Sequence, residues 1–111
     1  MAYDKNLAAH MQKVLDELNP PALTEKKMFG GVGYLVRGNM ACGVHKDEMI
    51  VRVGPEGFMD ALNRPGARPF DMIGRPMSGW VMVKPSGFES EQALREWIEL
   101  GLAYAQSLPA K

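Results

Sequence analysis

Between residues 26 and 53 the chain repeatedly breaks extended, apolar-rich runs with short turn signals, and this pattern leaves it little choice but an antiparallel meander. The runs cover 26–29, 32–37, 40–45 and 48–53. Gly38-Asn39 separates the second from the third, and glycine at the first of two loop positions suits a type II′ hairpin turn. Lys46-Asp47 supplies a second two-residue turn. Two further extended runs, around 68–72 and 79–84, follow later.

Helices frame this block. Asp4 can cap a first helix, along which Leu7, Met11, Val14, Leu15 and Leu18 recur at helical spacing. Asn19-Pro20-Pro21 ends it, because proline disfavours helical geometry in the preceding residue. Gly54-Pro55-Glu56 reads as the start of a short helix with Pro55 at its first position, carrying Phe58, Met59 and Leu62. A long last helix spans 91–107, capped by Ser90, with Leu94, Trp97, Ile98, Gly101, Tyr104, Ala105 and Leu108 as its apolar stripe. The order is α, three or four β, α, two β, α. The expected fold class is α+β: an antiparallel sheet with helices mainly on one face. No linker or repeat divides the chain, so residues 1–111 are expected to form one domain.

Taken together, the two turns set a register in which Leu35 opposes Cys42 and Cys42 opposes Val51, while Tyr34 opposes Gly43 and Gly43 opposes Ile50. Alternation then puts Gly33, Leu35, Met40, Cys42, Val44, Met49, Val51 and Val53 on a core face. The other face carries Val32, Tyr34, Val36, Ala41, Gly43, His45, Glu48, Ile50 and Arg52. It is mixed in character, shallow at Ala41 and Gly43, and rimmed by Tyr34, Ile50 and Arg52. Such a face suits a partner, with a second copy of the chain as one occupant. The alternative is that a loop or the strand carrying Trp80 covers it. Arg52 interrupts an otherwise apolar strand, so its guanidinium either pairs with an acid such as Glu48 or receives an anionic group.

Motifs for chemistry are sparse. Gly30-Gly31-Val32-Gly33 leads into strand-like residues rather than a helix, which points to a bulge or tight turn instead of a phosphate cradle. Cys42 and His45 are three apart on one strand and face opposite ways, so no shared metal is expected, and Cys42 reads as a buried apolar residue. No Gly-x-Ser-x-Gly elbow or P-loop occurs. Neither a catalytic set nor a cofactor is therefore expected.

Thirteen basic residues balance thirteen acidic ones. The middle, 26–84, holds nine Lys/Arg against five Asp/Glu, while 1–25 and 85–111 each hold two against four. Lys26, Lys27, Arg64, Arg68 and Arg75 could form a basic patch, with Lys26, Lys27, Arg68 and Arg75 as its candidate core. It lacks the aromatic interleaving of a single-strand binder, so direct nucleic-acid binding is disfavoured. No membrane-length apolar run and no apolar leader segment is present, so a cytoplasmic protein is expected.

Several stretches, in order, resemble the TfoX N-terminal domain family. They are Glu25-Lys26-Lys27-Met28-Phe29-Gly30-Gly31, Gly38-Asn39-Met40-Ala41-Cys42-Gly43-Val44 and Val51-Arg52-Val53-Gly54-Pro55-Glu56. Arg68-Pro69-Phe70-Asp71, Gly74-Arg75-Pro76-Met77, Gly79-Trp80-Val81 and Ser107-Leu108-Pro109 extend the match. The resemblance implies a domain like the type III secretion chaperones. It also implies a link to TfoX/Sxy regulators, which act on competence genes with the CRP activator, and it brings no catalytic residues. The expected function is a non-enzymatic binding or regulatory module that acts through protein contacts. Its expected partners are a second copy and an unidentified protein, with the transcription machinery suggested by the resemblance. A small-ligand or anion sensor built on Arg52 is the alternative, ahead of direct DNA binding or an enzyme.

Overall fold

A computed structural model describes residues 3–28, 30–70 and 77–110. Three helices, α1 (Lys5–Leu18), α2 (Phe58–Leu62) and α3 (Glu91–Ser107), accompany six strands. The strands are β1 (Leu23–Met28), β2 (Gly31–Val36), β3 (Asn39–His45), β4 (Glu48–Arg52), β5 (Ala67–Pro69) and β6 (Trp80–Val83). They form one antiparallel sheet in the order β1-β2-β3-β4-β6-β5. The α+β class and the expected element order hold.

Local chemistry explains the helix ends. The Asp4 carboxylate accepts from the N–H groups of Asn6 and Leu7, and the Ser90 hydroxyl accepts from that of Ala93, so each side chain satisfies donors that the first turn leaves open. Asn19 closes α1 in the left-handed region at φ 49°. In contrast, α2 begins later than expected: Gly57 is its cap, and Pro55 lies in the preceding turn.

One hairpin departs from the expected register. The loop joining β2 to β3 is Arg37-Gly38 rather than Gly38-Asn39, because Val36 pairs with Asn39. Both loop residues have positive φ, 53° and 84°, which is the type I′ geometry that matches strand twist. Farther along, Leu35 pairs with Met40 but Tyr34 with Cys42, leaving Ala41 as the extra residue of a bulge. The combined shift moves β2 by one residue against β3. A one-residue slip exchanges the two faces of a strand, so Val32, Tyr34 and Val36 join the core face, and Gly33 and Leu35 leave it. Pairing of β3 with β4 is as expected, with Cys42 opposite Val51 and Gly43 opposite Ile50.

Two apolar clusters result. The larger one packs the helices onto the sheet: Val32, Tyr34, Val36, Cys42, Val44, Met49, Val51, Val81 and Val83 meet Met11, Val14, Leu15, Ala61, Leu94, Trp97 and Ile98. Each fully buried valine, leucine, isoleucine or methionine among them contributes roughly 1.5–3 kcal/mol. Gly101 lets α3 come very close to the sheet, since a Cβ there would lie 2.2 Å from the Ala41 carbonyl oxygen. The smaller cluster lies on the opposite face, where Met40, Ile50, Phe70 and Met82 are buried, with Leu35, Met77 and Trp80 packed against them. Phe70 and Met77 come from the β5–β6 connection and are tied by a Met77 N–H to Phe70 carbonyl bond of 3.0 Å. The second sheet face is thus covered within the chain around Ile50, which was the alternative to an open partner surface.

Candidate binding site around Arg52

β4 and β6 position Arg52. It is the last residue of β4 and pairs directly with Trp80, the first of β6. Its guanidinium carbon lies over two rings, 5.1 Å from the centre of Trp80 and 5.3 Å from that of Tyr104 on α3. The ring faces are electron-rich and attract the cation. Tyr104 is held against the backbone, because a Cβ on Gly54 would sit 2.4 Å from its ring. Gly54 itself needs the freedom of glycine, with φ 84°. Tyr104 also walls a cleft of about 350 Å³, together with Val53, Gly54, Pro55, Glu56 and Ser107.

Arg52 does not pair with Glu48. The two residues share a sheet face but lie four positions apart on one strand, about 13 Å by strand rise. Glu48 instead receives Arg68 from β5, through Nε to Oε1 at 3.2 Å and Nη2 to Oε2 at 3.3 Å. Arg64 pairs with Glu96 at 3.5 Å, and Arg95 pairs with Glu17. Among the described residues Arg52 has no carboxylate partner, although it is half-buried.

The other expected surface residues are buried. Tyr34 sits under α1, its hydroxyl donating to the Ala8 carbonyl at 3.1 Å; burial pushes its ionisation well above the ordinary tyrosine range. Ala41 lies in the main core. Gly43 is buried between strands: a Cβ there would meet the Val32 carbonyl at 2.5 Å and the Met40 methyl at 3.0 Å. Close strand approach therefore requires that glycine. Ile50 is only 2% exposed.

Among the described residues, Lys26, Lys27 and Arg68 do not gather. Lys26 and Arg68 occupy one cross-strand row, running Lys26, Gly33, Gly43, Ile50, Met82, Arg68, but at its two ends. Five strand spacings, about 24 Å, separate them. Lys27 points to the other face of β1, and Arg75 lies outside the described residues. Cys42 and His45 fall on opposite faces, with Cys42 fully buried and its thiol pushed up to about 12 by desolvation. Among the described residues no helix is long and apolar enough to cross a membrane.

Sequence reasoning found Arg52 but missed its aromatic partners. The Arg52–Trp80 contact needed the β4–β6 pairing, which joins strands 28 residues apart and carries no local turn signal. Tyr104 was expected in the buried stripe of α3, whereas it flanks that stripe half-exposed.

No curated protein matches the chain significantly. The family model for the TfoX N-terminal domain matches residues 14–105, which include β1 through β6 and nearly all of α3. The chain belongs to the TfoX N-terminal domain family.

Proposed function

We propose that this domain is a non-enzymatic regulatory module of the TfoX type that acts through protein contacts at the open edge of β1. The observation that carries this reading is the state of that strand. Among the described residues β1 pairs with β2 on one side only, and Thr24, Glu25, Lys26 and Lys27 are all exposed. An open edge offers backbone N–H and C=O groups to an added strand. Family membership supports the regulatory character, and through it a component of the transcription machinery is the expected partner beyond a second copy.

The charge order along β1 suits self-association. Two copies related by a two-fold axis and paired antiparallel about Lys26 set Lys27 of each opposite Glu25 of the other. These pairs lie on the helix-packed side, since Glu25 and Lys27 pair with Tyr34 and Val32. Each opposite-charge pair contributes roughly 0.2–1 kcal/mol. The two Lys26 ammonium groups meet on the other side, where their long stems can splay into water. An axis through Glu25 would oppose two carboxylates with no compensating pair.

Amide hydrogen exchange across a concentration series tests the reading. Outward-facing amides of Leu23–Met28 gain protection as concentration rises if β1 is the contact edge. Exchange in β1 independent of concentration, with protection gained elsewhere, removes this edge from the account.

A second reading, recognition of an anionic group, is favoured by Arg52, whose half-buried guanidinium has ring contacts but no carboxylate among the described residues.

A further inference from the structure

We propose that Arg52, held by Trp80 and Tyr104, binds a monocarboxylate whose aromatic or branched apolar body enters the cleft beside Tyr104; this rests on the anion reading and names its ligand class.

A guanidinium carries five N–H groups in its own plane and no acceptor. The rings of Trp80 and Tyr104 lie beneath the charge at 5.1 and 5.3 Å. They offset its lost hydration but accept none of the in-plane N–H groups with the strength of an oxygen. Among the described residues no carboxylate takes these donors, and the two oxygens of a carboxylate match the fork that a guanidinium presents. Arg68 shows this chemistry within the same chain, gripping both oxygens of Glu48.

The surroundings then choose among anions. Glu56 and Ser107, the last residue of α3, line the cleft. A helix C-terminus carries partial negative charge. Glu56 and this helix end both oppose a second negative charge on the ligand, so a phosphate dianion or a nucleic-acid backbone fits poorly. A single carboxylate is matched by one guanidinium. Val53, Pro55 and the Tyr104 ring give the rest of the cleft an apolar wall, and about 350 Å³ accommodates a body of roughly one substituted ring. The carboxylate can belong to a free small acid or to the end of a peptide chain.

Nuclear magnetic resonance titration of the full chain separates these possibilities. The reporters are the Trp80 indole N–H and the Gly54 amide, and the probes are phenylacetate, inorganic phosphate, and a short peptide ending in phenylalanine as free acid or amide. Phenylacetate and the free-acid peptide are expected to shift both reporters saturably, with phosphate and the amidated peptide silent. Tighter binding by the peptide assigns the carboxylate to a chain terminus, and tighter binding by phenylacetate assigns it to a free acid. Arg52→Lys, which keeps the charge and loses the fork, is expected to weaken binding about tenfold or more. Equal response to phosphate overturns the carboxylate assignment and leaves the anion reading standing. No response to any anion overturns both, and an unchanged phenylacetate affinity in Arg52→Lys overturns the role of Arg52.

Discussion

Arg52 and Trp80 are direct cross-strand partners, and the guanidinium carbon of the one lies 5.1 Å from the ring centre of the other. The contact replaces the ion pair that an arginine in an apolar strand ordinarily needs. Tyr104 completes it from α3, so a single side chain joins the end of β4, the start of β6 and the last turns of the long helix.

Stability should register this link. Arg52→Gln removes two cation–π contacts and is expected to cost about 1–2 kcal/mol. Urea unfolding followed by circular dichroism checks it. A variant as stable as wild type would mean that the rings and the guanidinium contribute nothing to each other.

Ile50→Glu should unfold the domain rather than alter its association. Ile50 is 2% exposed and sits among Met40, Phe70 and Met82. A carboxylate there loses the packing of the isoleucine and must be desolvated, which together cost about 4 kcal/mol or more; Arg52, two residues along the same face, offsets part of this only by leaving its rings. Loss of the cooperative thermal transition is the expected readout. A well-folded variant would show the second sheet face to be open.

Gly101→Ala sets two effects against each other. Alanine in a helix interior gains about 1 kcal/mol over glycine by propensity. The new Cβ would approach the Ala41 carbonyl oxygen to 2.2 Å, against backbone that cannot swing aside. Forcing α3 off the sheet costs about 1–3 kcal/mol or more, so the melting temperature is expected to fall. A rise would show that α3 sits farther from β3.

The buried thiol gives a pH signature. Desolvation raises Cys42 from the ordinary 9.0 to about 12, so the folded state favours the protonated form. Its contribution is fully present below pH 9, where neither state ionises, and is lost as pH rises from 9 towards 12. Tyr34 shifts in the same direction and adds to the loss. Urea midpoints should be flat from pH 7 to 8.5 and fall above that. Thiol-reactive dye should label Cys42 only at the rate of unfolding, and rapid labelling of the folded chain would contradict its burial.

The helices and strands were legible because their signals are local. Asp4 and Ser90 announced the helix starts, Pro20 and Pro109 the ends, and the Lys46-Asp47 turn set the β3–β4 register correctly. The β2–β3 register was not legible, because Arg37-Gly38 and Gly38-Asn39 are both plausible two-residue loops. Only packing chooses between them: the observed loop and the Ala41 bulge send Tyr34 under α1 and into the main core. That choice moved Val32, Tyr34, Val36 and Ala41 into the main core, while Ile50 stayed on the second face and was covered there by Phe70 and Met82. Arg52 kept its place because β4 did not slip, and its oddity in an apolar strand was visible from the start. Its rings were invisible, since they depend on long-range pairing.

The measurement closest to the central claim is solution mass by light scattering on four chains, over a concentration series. They are wild type, Glu25→Lys, Lys27→Glu, and the double variant that exchanges the two charges. A dimer held through β1 about Lys26 predicts that wild type associates, that each single reversal sets like charges opposite and yields monomer, and that the exchange restores the dimer. A wild-type monomer at every concentration, or a dimer indifferent to all three variants, would contradict a contact at the β1 edge.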